Sequence, residues 1–401
     1  MKKIFLMAFA LAFAMSFVPQ SASAENSNAK YQIHTTNATK KIVVRGGASR
    51  LFQFSEGMAL VKHRNGWFVI DKQGNKLFDL PDGYHPVGED YKYSKFYNGR
   101  LMICKSIDYS GVDVKIIDKN GNVVKELGKA MEAYAPVDGV GRMTVRNGFK
   151  TEIYYVNLNG EKVGLQTPVS EVFSLVDGVR CYEDPDSHLW GFLDANMNIV
   201  VSAKFKDLGA LHNGLAQARN TDGLWGFANK SGAWAVQPQF SRPPGAFKGP
   251  YARVYDKQGV TYFMDKSGKF AWNNSQQKDT KCMEYVPEGY CVWIMYNDSV
   301  APAYAPIHIV DTSFNKVGLI EPLKLQIYFG GEIVASSPQW FQLKDSGDNR
   351  LFDWKGNLLL DFYSDGIFSE GLCSASLDDG GGEFYFNDKG EIIVKFEDTQ
   401  F

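Results

Sequence analysis

Within residues 213–240, Asn213-Gly214-Leu-Ala-Gln-Ala-Arg219 is followed by Asp222-Gly-Leu-Trp225-Gly226-Phe-Ala-Asn229-Lys-Ser-Gly232 and then by Ala233-Trp-Ala-Val-Gln-Pro238-Gln-Phe240. Three short apolar runs are thus separated by turn signatures. An Asp or Asn side chain can bond its own downstream backbone, and a Gly supplies the positive φ that ends such a turn. Between apolar runs these are hairpin connections, so the stretch reads as a small antiparallel β unit.

The same unit recurs along the chain. A step ending in glycine, as in Phe54-Ser-Glu-Gly57 and Val176-Asp177-Gly178, leads into an apolar run at Gly57, Gly99, Gly139, Gly178, Gly214, Gly249, Gly289, Gly331 and Gly371. The spacings are 42, 40, 39, 36, 35, 40, 42 and 40 residues, a rhythm that scattered glycines would not keep. The Asp-Lys-x-Gly turn recurs in phase, at Asp71, Asp118, Asn157, Asn229, Asp265, Asp353 and Asn387. Asp194 and Asp311 begin degenerate copies without the glycine. Both residues before each turn are apolar or aromatic in all nine copies, from Val69-Ile70 to Tyr385-Phe386. A strand with one wet face would alternate, so this strand is read as covered on both faces by neighbouring copies.

The fifth copy resembles the bacterial WG-repeat family, whose unit carries Trp-Gly-Phe, an Asp/Asn-Lys-x-Gly turn and a trailing Pro-x-Phe. The fourth copy is similar through Leu189-Trp190-Gly191-Phe192-Leu193-Asp194 and Lys204-Phe205, and the first holds Gly66-Trp67-Phe68 with the pair reversed. The resemblance spans roughly residues 45 to 396. It implies an exported or surface β-repeat protein, and it brings no catalytic residue with it.

Composition agrees with such a chain: 44% hydrophobic and 14% aromatic residues, with 39 glycines among 401 residues. A net charge of −2 excludes the basic footprint of a nucleic-acid binder. Residues 1–24 read as a secretory signal: Lys2-Lys3, an apolar stretch from Ile4 to Val18, and Ala22-Ser23-Ala24 before the cut. Residues 25–45 read as a flexible lead-in or N-terminal cap with one strand, and 46–401 as the repeat array. The expected fold is all-β, a tandem array of about nine three-stranded units of ~40 residues, curved or superhelical like a solenoid, with a closed β-propeller as the alternative. Nine units exceed the usual blade number and three strands fall short of four, which favours the open form. The best helical candidate, Lys125–Ala133, is short.

The chemistry points away from an enzyme. No His pair has metal-ligand spacing, and no nucleophile elbow, phosphate loop or dinucleotide fingerprint is present. Asp118-Lys-Asn120-Gly-Asn122 has its glycine too early for a calcium loop. Glu56, Glu288 and Glu370 recur at one repeat position and mark turns rather than a converging acid pair. The five cysteines, Cys104, Cys181, Cys282, Cys291 and Cys373, read as small core residues, with Cys282 and Cys291 near enough in sequence to meet across a turn. Trp67, Trp190 and Trp225 read as packing between repeats, whereas Trp272, Trp293, Trp340 and the Tyr285–Tyr304 stretch could supply exposed platforms. The seventh copy carries an insertion, so Tyr296, Asn297, Asp298 and Tyr304 form the candidate contact loop. No catalytic, cofactor-binding or metal residue is assigned. The function expected is that of an exported non-catalytic scaffold, secreted, periplasmic or at the cell surface. It would bind an envelope or extracellular protein, peptide or glycan, with no nucleic acid and no membrane-spanning segment after signal removal. The alternatives are a propeller-type enzyme acting on polysaccharide, or a structural component of the envelope.

Overall fold

A computed structural model describes residues 38–44, 48–88, 94–107, 111–164, 169, 173–247, 249–255, 257, 261–273, 280–285, 291–295, 306–311, 315–321, 332–345, 348–364, 366–376 and 383–398. These residues form nine sheets, antiparallel throughout except where the first strand pairs in parallel with the last, and no helix occurs among them. Lys125–Ala133, the helical candidate, is divided between the strands Val123–Ala130 and Glu132–Val137. The array of nine units is therefore present as read.

Seven of the sheets have four strands and two have three. The strand missed in the sequence lies before the repeat glycine. In unit five the order is Asp207–Leu208, Leu215–Arg219, Trp225–Asn229 and Trp234–Phe240. The leading strand is short and irregular, so its alternation does not show in the sequence. The glycine step is a two-residue hairpin. Ser55 N donates to Met58 O at 2.9 Å and Met58 N returns to Ser55 O at 3.1 Å, with Glu56 at φ 55° and Gly57 at φ 80°. Two successive positive φ values define the turn whose twist suits a hairpin, which explains the Asn-Gly and Asp-Gly pairs in other units. In unit eight the equivalent hairpin is Ser337–Trp340, where Ser337 N donates to Trp340 O at 2.7 Å. Phe329-Gly331, the step read there from the sequence, lies outside the described residues.

At the second turn of all nine units the Asp or Asn Oδ1 accepts from the amide four residues on. Asp71 Oδ1 accepts from Gln73 N at 2.9 Å and Asn75 N at 2.7 Å, and Gly74 N donates to Asp71 O at 2.9 Å. The degenerate copies keep it: Asn198 N donates to Asp194 Oδ1 at 2.8 Å and Asn315 N to Asp311 Oδ1 at 2.9 Å. Met197 replaces the glycine, adopts φ 64° and is fully buried.

The Trp-Gly pair produces a bulge. In unit five Trp225 pairs with Phe240 but Phe227 pairs with Val236, so Gln237-Pro238-Gln239 bows out of the fourth strand. A Cβ on Gly226 would lie 2.5 Å from Val236 O and 2.8 Å from Pro238 N. Proline suits a bulge because it donates no ladder hydrogen bond. The trailing Pro-x-Phe and the glycine are thus two halves of one feature. Unit four repeats it, with Trp190 opposite Phe205 and Phe192 opposite Val201. In unit one Trp67 holds the position of Trp225, Phe68 replaces the glycine, and Phe68 and Val69 pair in straight register with Asp79 and Phe78.

Neighbouring sheets bury their faces in shared clusters, such as Phe52, Leu60, Trp67, Phe96 and Ile103 between units one and two. Of the two arrangements considered for the array, the chain ends decide for the closed one. Ala38–Val44 runs parallel to Ile392–Asp398 and adds the fourth strand to unit nine. Leu51, Phe54 and Val61 of unit one share a core cluster with Leu372, Tyr385 and Val394 of unit nine.

The seam between units nine and one repeats the seam between one and two. Ser369 Oγ donates to Phe54 O at 2.7 Å, as Ser55 Oγ donates to Phe96 O at 2.9 Å. Glu370 accepts from Glu56 N at 2.7 Å and Gly57 N at 3.0 Å, as Glu56 accepts from Gly99 N at 2.9 Å. Lys72 lies 3.0 Å from Glu370, as Lys119 lies 3.0 Å from Glu56. The result is a propeller-like ring of nine units.

Two predictions follow from these contacts. Gly226→Ala forces the bulge apart and should destabilise by about 1–3 kcal/mol, the usual range for overpacking; an unchanged urea midpoint would refute the bulge account. At Glu370 burial opposes ionisation, but the Lys72 ammonium and the Gly57 and Glu56 amides outweigh it and hold the carboxyl below its usual 4.5. Its stabilisation is therefore present above pH 4.5 and disappears as pH falls through the lowered native value. Glu370→Gln should lower stability at pH 7, by about 1 kcal/mol at most given its partial exposure, and the difference in melting temperature from the natural chain should close in acid.

Candidate binding surfaces

The insertion residues Tyr296, Asn297, Asp298 and Tyr304 lie outside the described residues. Trp340, one of the platform candidates, is 7% exposed, and its indole Nε1 donates to Asp388 at 2.9 Å, so it packs rather than presents a face. Trp67 is buried, whereas Trp190 and Trp225 are half-buried against the clusters between units. Cys104, Cys181 and Cys373 are buried free thiols, and burial pushes Cys181 up to about 12, which leaves it inert at neutral pH. Strand register sets Cys282 opposite Trp293 and Cys291 opposite Tyr285, so the two cysteines are not cross-strand partners.

Among the described residues the histidines do not assemble a site. His188 bonds Glu183 at 3.1 Å on the surface, and His212 closes the hairpin of unit five. His308 is buried and its pKa falls to about 4, through burial and then Lys316. Cys104 Sγ sits 3.8 Å from both ring nitrogens of His85. A sulfur equidistant from the two nitrogens lies along neither lone pair, which is not the geometry of an activated nucleophile. Among the described residues no three His, Cys, Asp or Glu side chains converge. Among them too, no helix is long and apolar enough to cross a membrane.

One acid has an unusual environment. Glu383 opens the second strand of unit nine opposite Ser376, and burial raises its carboxyl to about 7.

Two pockets open beside the units. The first, of about 330 Å³, lies between the hairpin His63–Gly66 and the connection Leu80–His85. Lys62 and Arg64 face Asp79 and Asp82 in its lining, so the charges balance. Its Trp67 is 5% exposed with the Lys62 ammonium 5.2 Å above the ring, which leaves no flat face for a ligand.

The second pocket, of about 420 Å³, lies at the seam of units five and six. Gln239, at the edge of the Trp-Gly bulge, forms one wall together with Phe240 and Ser241. The opposite wall comes from unit six: Tyr255 ends the strand Tyr251–Tyr255, Tyr262 lies in Thr261–Asp265, and Phe270 begins Phe270–Asn273. Phe270 is 51% exposed and its ring lies 4.8 Å from that of Tyr262, tilted by 44°. Arg253 stacks over Tyr255 at 5.4 Å, and Lys257 stands in the lining. Three ring-bearing side chains beside an amide, a hydroxyl and one ammonium make an amphipathic wall, the usual composition of a ligand pocket. The sequence reading placed the exposed aromatics elsewhere. Phe270 follows the Asp265 turn by a few residues, but nothing in its type or spacing distinguishes an exposed Phe from the core Phe beside it.

The family model for the WG containing repeat matches residues 190–224 and 225–256. Residues 190–256 thus hold two adjacent WG repeats, which run from unit four into unit six. The second match runs through the Trp-Gly bulge to the pocket wall, so the feature that marks the WG repeat also builds one side of the pocket. No curated protein matches the sequence. Among solved structures, the crystal structure of a eukaryotic initiation factor is 12% identical with a TM-score of 0.53, over 86% of this chain and 96% of that one. BamB from Moraxella catarrhalis is 12% identical with a TM-score of 0.34, over 77% of this chain and 94% of that one. At such identity the first likeness concerns the fold alone, and the second is too loose to carry an argument.

Glu383→Gln mimics the protonated acid and tests its burial. The native value lies above the unfolded 4.5, so the stabilisation is full below pH 4.5 and lost as pH rises toward about 7. The variant should match the natural chain at pH 4 and melt at a higher temperature at pH 8. Equal melting at both pH values would show that Glu383 is solvated.

Proposed function

We propose that this protein is an exported, non-catalytic repeat scaffold that binds a glycan or peptide chain at the seam of its units. The observation that carries the reading is the aromatic wall of Tyr255, Tyr262 and Phe270, facing a pocket of about 420 Å³. A large aromatic ring left half in water beside convergent polar groups is what a recognition surface presents. Export is supported by the basic start, apolar stretch and Ala22-Ser23-Ala24 of residues 1–24.

The ring fold supports a binding role over a structural one. The seam of units five and six has its own shared core and hydrogen bond, so a side chain on it is positioned without being needed for closure. Phe270→Ala should therefore leave the melting temperature unchanged while weakening binding to glycan or peptide arrays about tenfold or more, since exposed aromatic contacts are typical binding anchors. Protein recovered from the culture fluid or periplasm should begin at Glu25. Binding indifferent to Phe270, or chain cleavage products from a bound oligosaccharide, would each sink the reading.

A further inference from the structure

We infer that Asn147 is a site of spontaneous covalent modification in the folded protein, where the Gly148 nitrogen closes on the Asn147 side chain and converts it to an acid. The inference is independent of what the protein binds.

The sequence holds six Asn-Gly pairs, beginning at Asn65, Asn98, Asn120, Asn147, Asn159 and Asn213. Glycine has no side chain to hinder attack by its own nitrogen on the preceding Asn Cγ, so the six share one intrinsic hazard. The fold sorts them by what holds the glycine amide. Gly99 N donates to Glu56 at 2.9 Å and Gly214 N to Asp177 at 2.7 Å, each carboxylate reaching over from the preceding unit. Gly121 N donates to Asp118 O at 3.1 Å and Gly160 N to Asn157 O at 2.9 Å, inside the second turn. Gly66 stands in the strand Gly66–Asp71, opposite His63. A nitrogen engaged in these ways reacts only when the local structure opens.

Gly148 is placed differently. Asn147 pairs with Lys150 at the end of the hairpin of unit three, which leaves Gly148 and Phe149 as its two-residue tip. Residues Arg146 to Thr151 are all exposed, and a Cβ on Gly148 would meet nothing within 4 Å. Among the described residues no group accepts from Gly148 N. The strands Val140–Asn147 and Lys150–Asn157 have eight residues each, against five in the same hairpin of units four and five. Three more residues per strand carry the tip roughly 10 Å further into water.

In the reaction the Gly148 nitrogen bonds to Asn147 Cγ, its proton leaves with the side-chain amide as ammonia, and a cyclic imide remains. Water then opens one of the two imide C–N bonds. The product is an aspartyl residue, or an isoaspartyl residue whose main chain runs through the former side chain. Either one sets a carboxylate beside Arg146, in a stretch from Val140 to Thr151 that carries cations and no acid.

The test is to incubate the folded chain, residues 25–401, in mildly alkaline buffer and to map its peptides by mass spectrometry, with isoaspartate detected by enzymatic methylation. The peptide holding Asn147 should convert at least about tenfold faster than those holding Asn98 and Asn213, since the latter two must open first. In denaturant the three should convert at similar rates. Asn147→Gln should remove the early isoaspartate from the folded chain, and its persistence would place the modification elsewhere and overturn the inference. Conversion of Asn98 or Asn213 in the folded chain at the rate of Asn147 would overturn it too, as would an Asn147 that stays intact while the denatured chain reacts.

Discussion

Everything in this fold depends on a contact that one sheet makes with the next. The strands before the Asp-x-x-Gly turn carry apolar side chains on both faces, and no single sheet can cover two faces alone. Each must be sandwiched, and the carboxylate at a hairpin tip helps to fix the spacing. It accepts amide hydrogens from the following unit and an ion pair from that unit's turn lysine, as with Glu56 toward Gly99 and Lys119. Because Glu370 makes the same set of contacts to unit one, the ring closes with no special device. The closing strand Ala38–Val44 adds hydrogen bonds to an edge already placed by the cores.

The WG repeat follows from this geometry. A twisted sheet must shape its outer strand, and the bulge opposite Trp-Gly does so at two units. Glycine is required there for space rather than for φ, since a Cβ would meet the bulged backbone at 2.5 Å. Where the pair is absent, as at Phe68 in unit one, Phe68 and Val69 keep straight register and the shift comes only at Ile70. The signature is therefore a record of local sheet shape. Units that solve the shape differently lose the signature while keeping the two hairpin turns.

This explains how much was legible in the amino-acid sequence. The nine-fold period, the hairpins and the doubly buried strand could be read because turn chemistry and burial act through residue type at fixed spacing. The leading strand could not, because segments such as Asp207–Leu208 and His85–Pro86 pair over two residues and show no alternation. Closure was hidden as well, since it joins residues such as Tyr385 and Phe52 whose side chains look like those of any other seam. The pocket was least visible. Phe270 and Phe263 are the same residue type a few positions apart, and only the packing of unit five against unit six leaves one exposed and the other buried.

The parallel pairing of Ala38–Val44 with Ile392–Asp398 also bears on how such a chain is made. Synthesis proceeds from the amino end, so the closing strand emerges first and its partner among the last residues. Until then unit one has a bare apolar face toward the missing unit nine, and the early strand has no ladder to join. Units in between can stack as they appear, since their contacts are with immediate neighbours. The final pairing spans nearly the whole chain, the kind of distant contact that forms slowly and leaves surface open to wrong partners. The nascent chain is therefore most vulnerable at its two closing strands, and emergence of Ile392–Asp398 is the event that seals it.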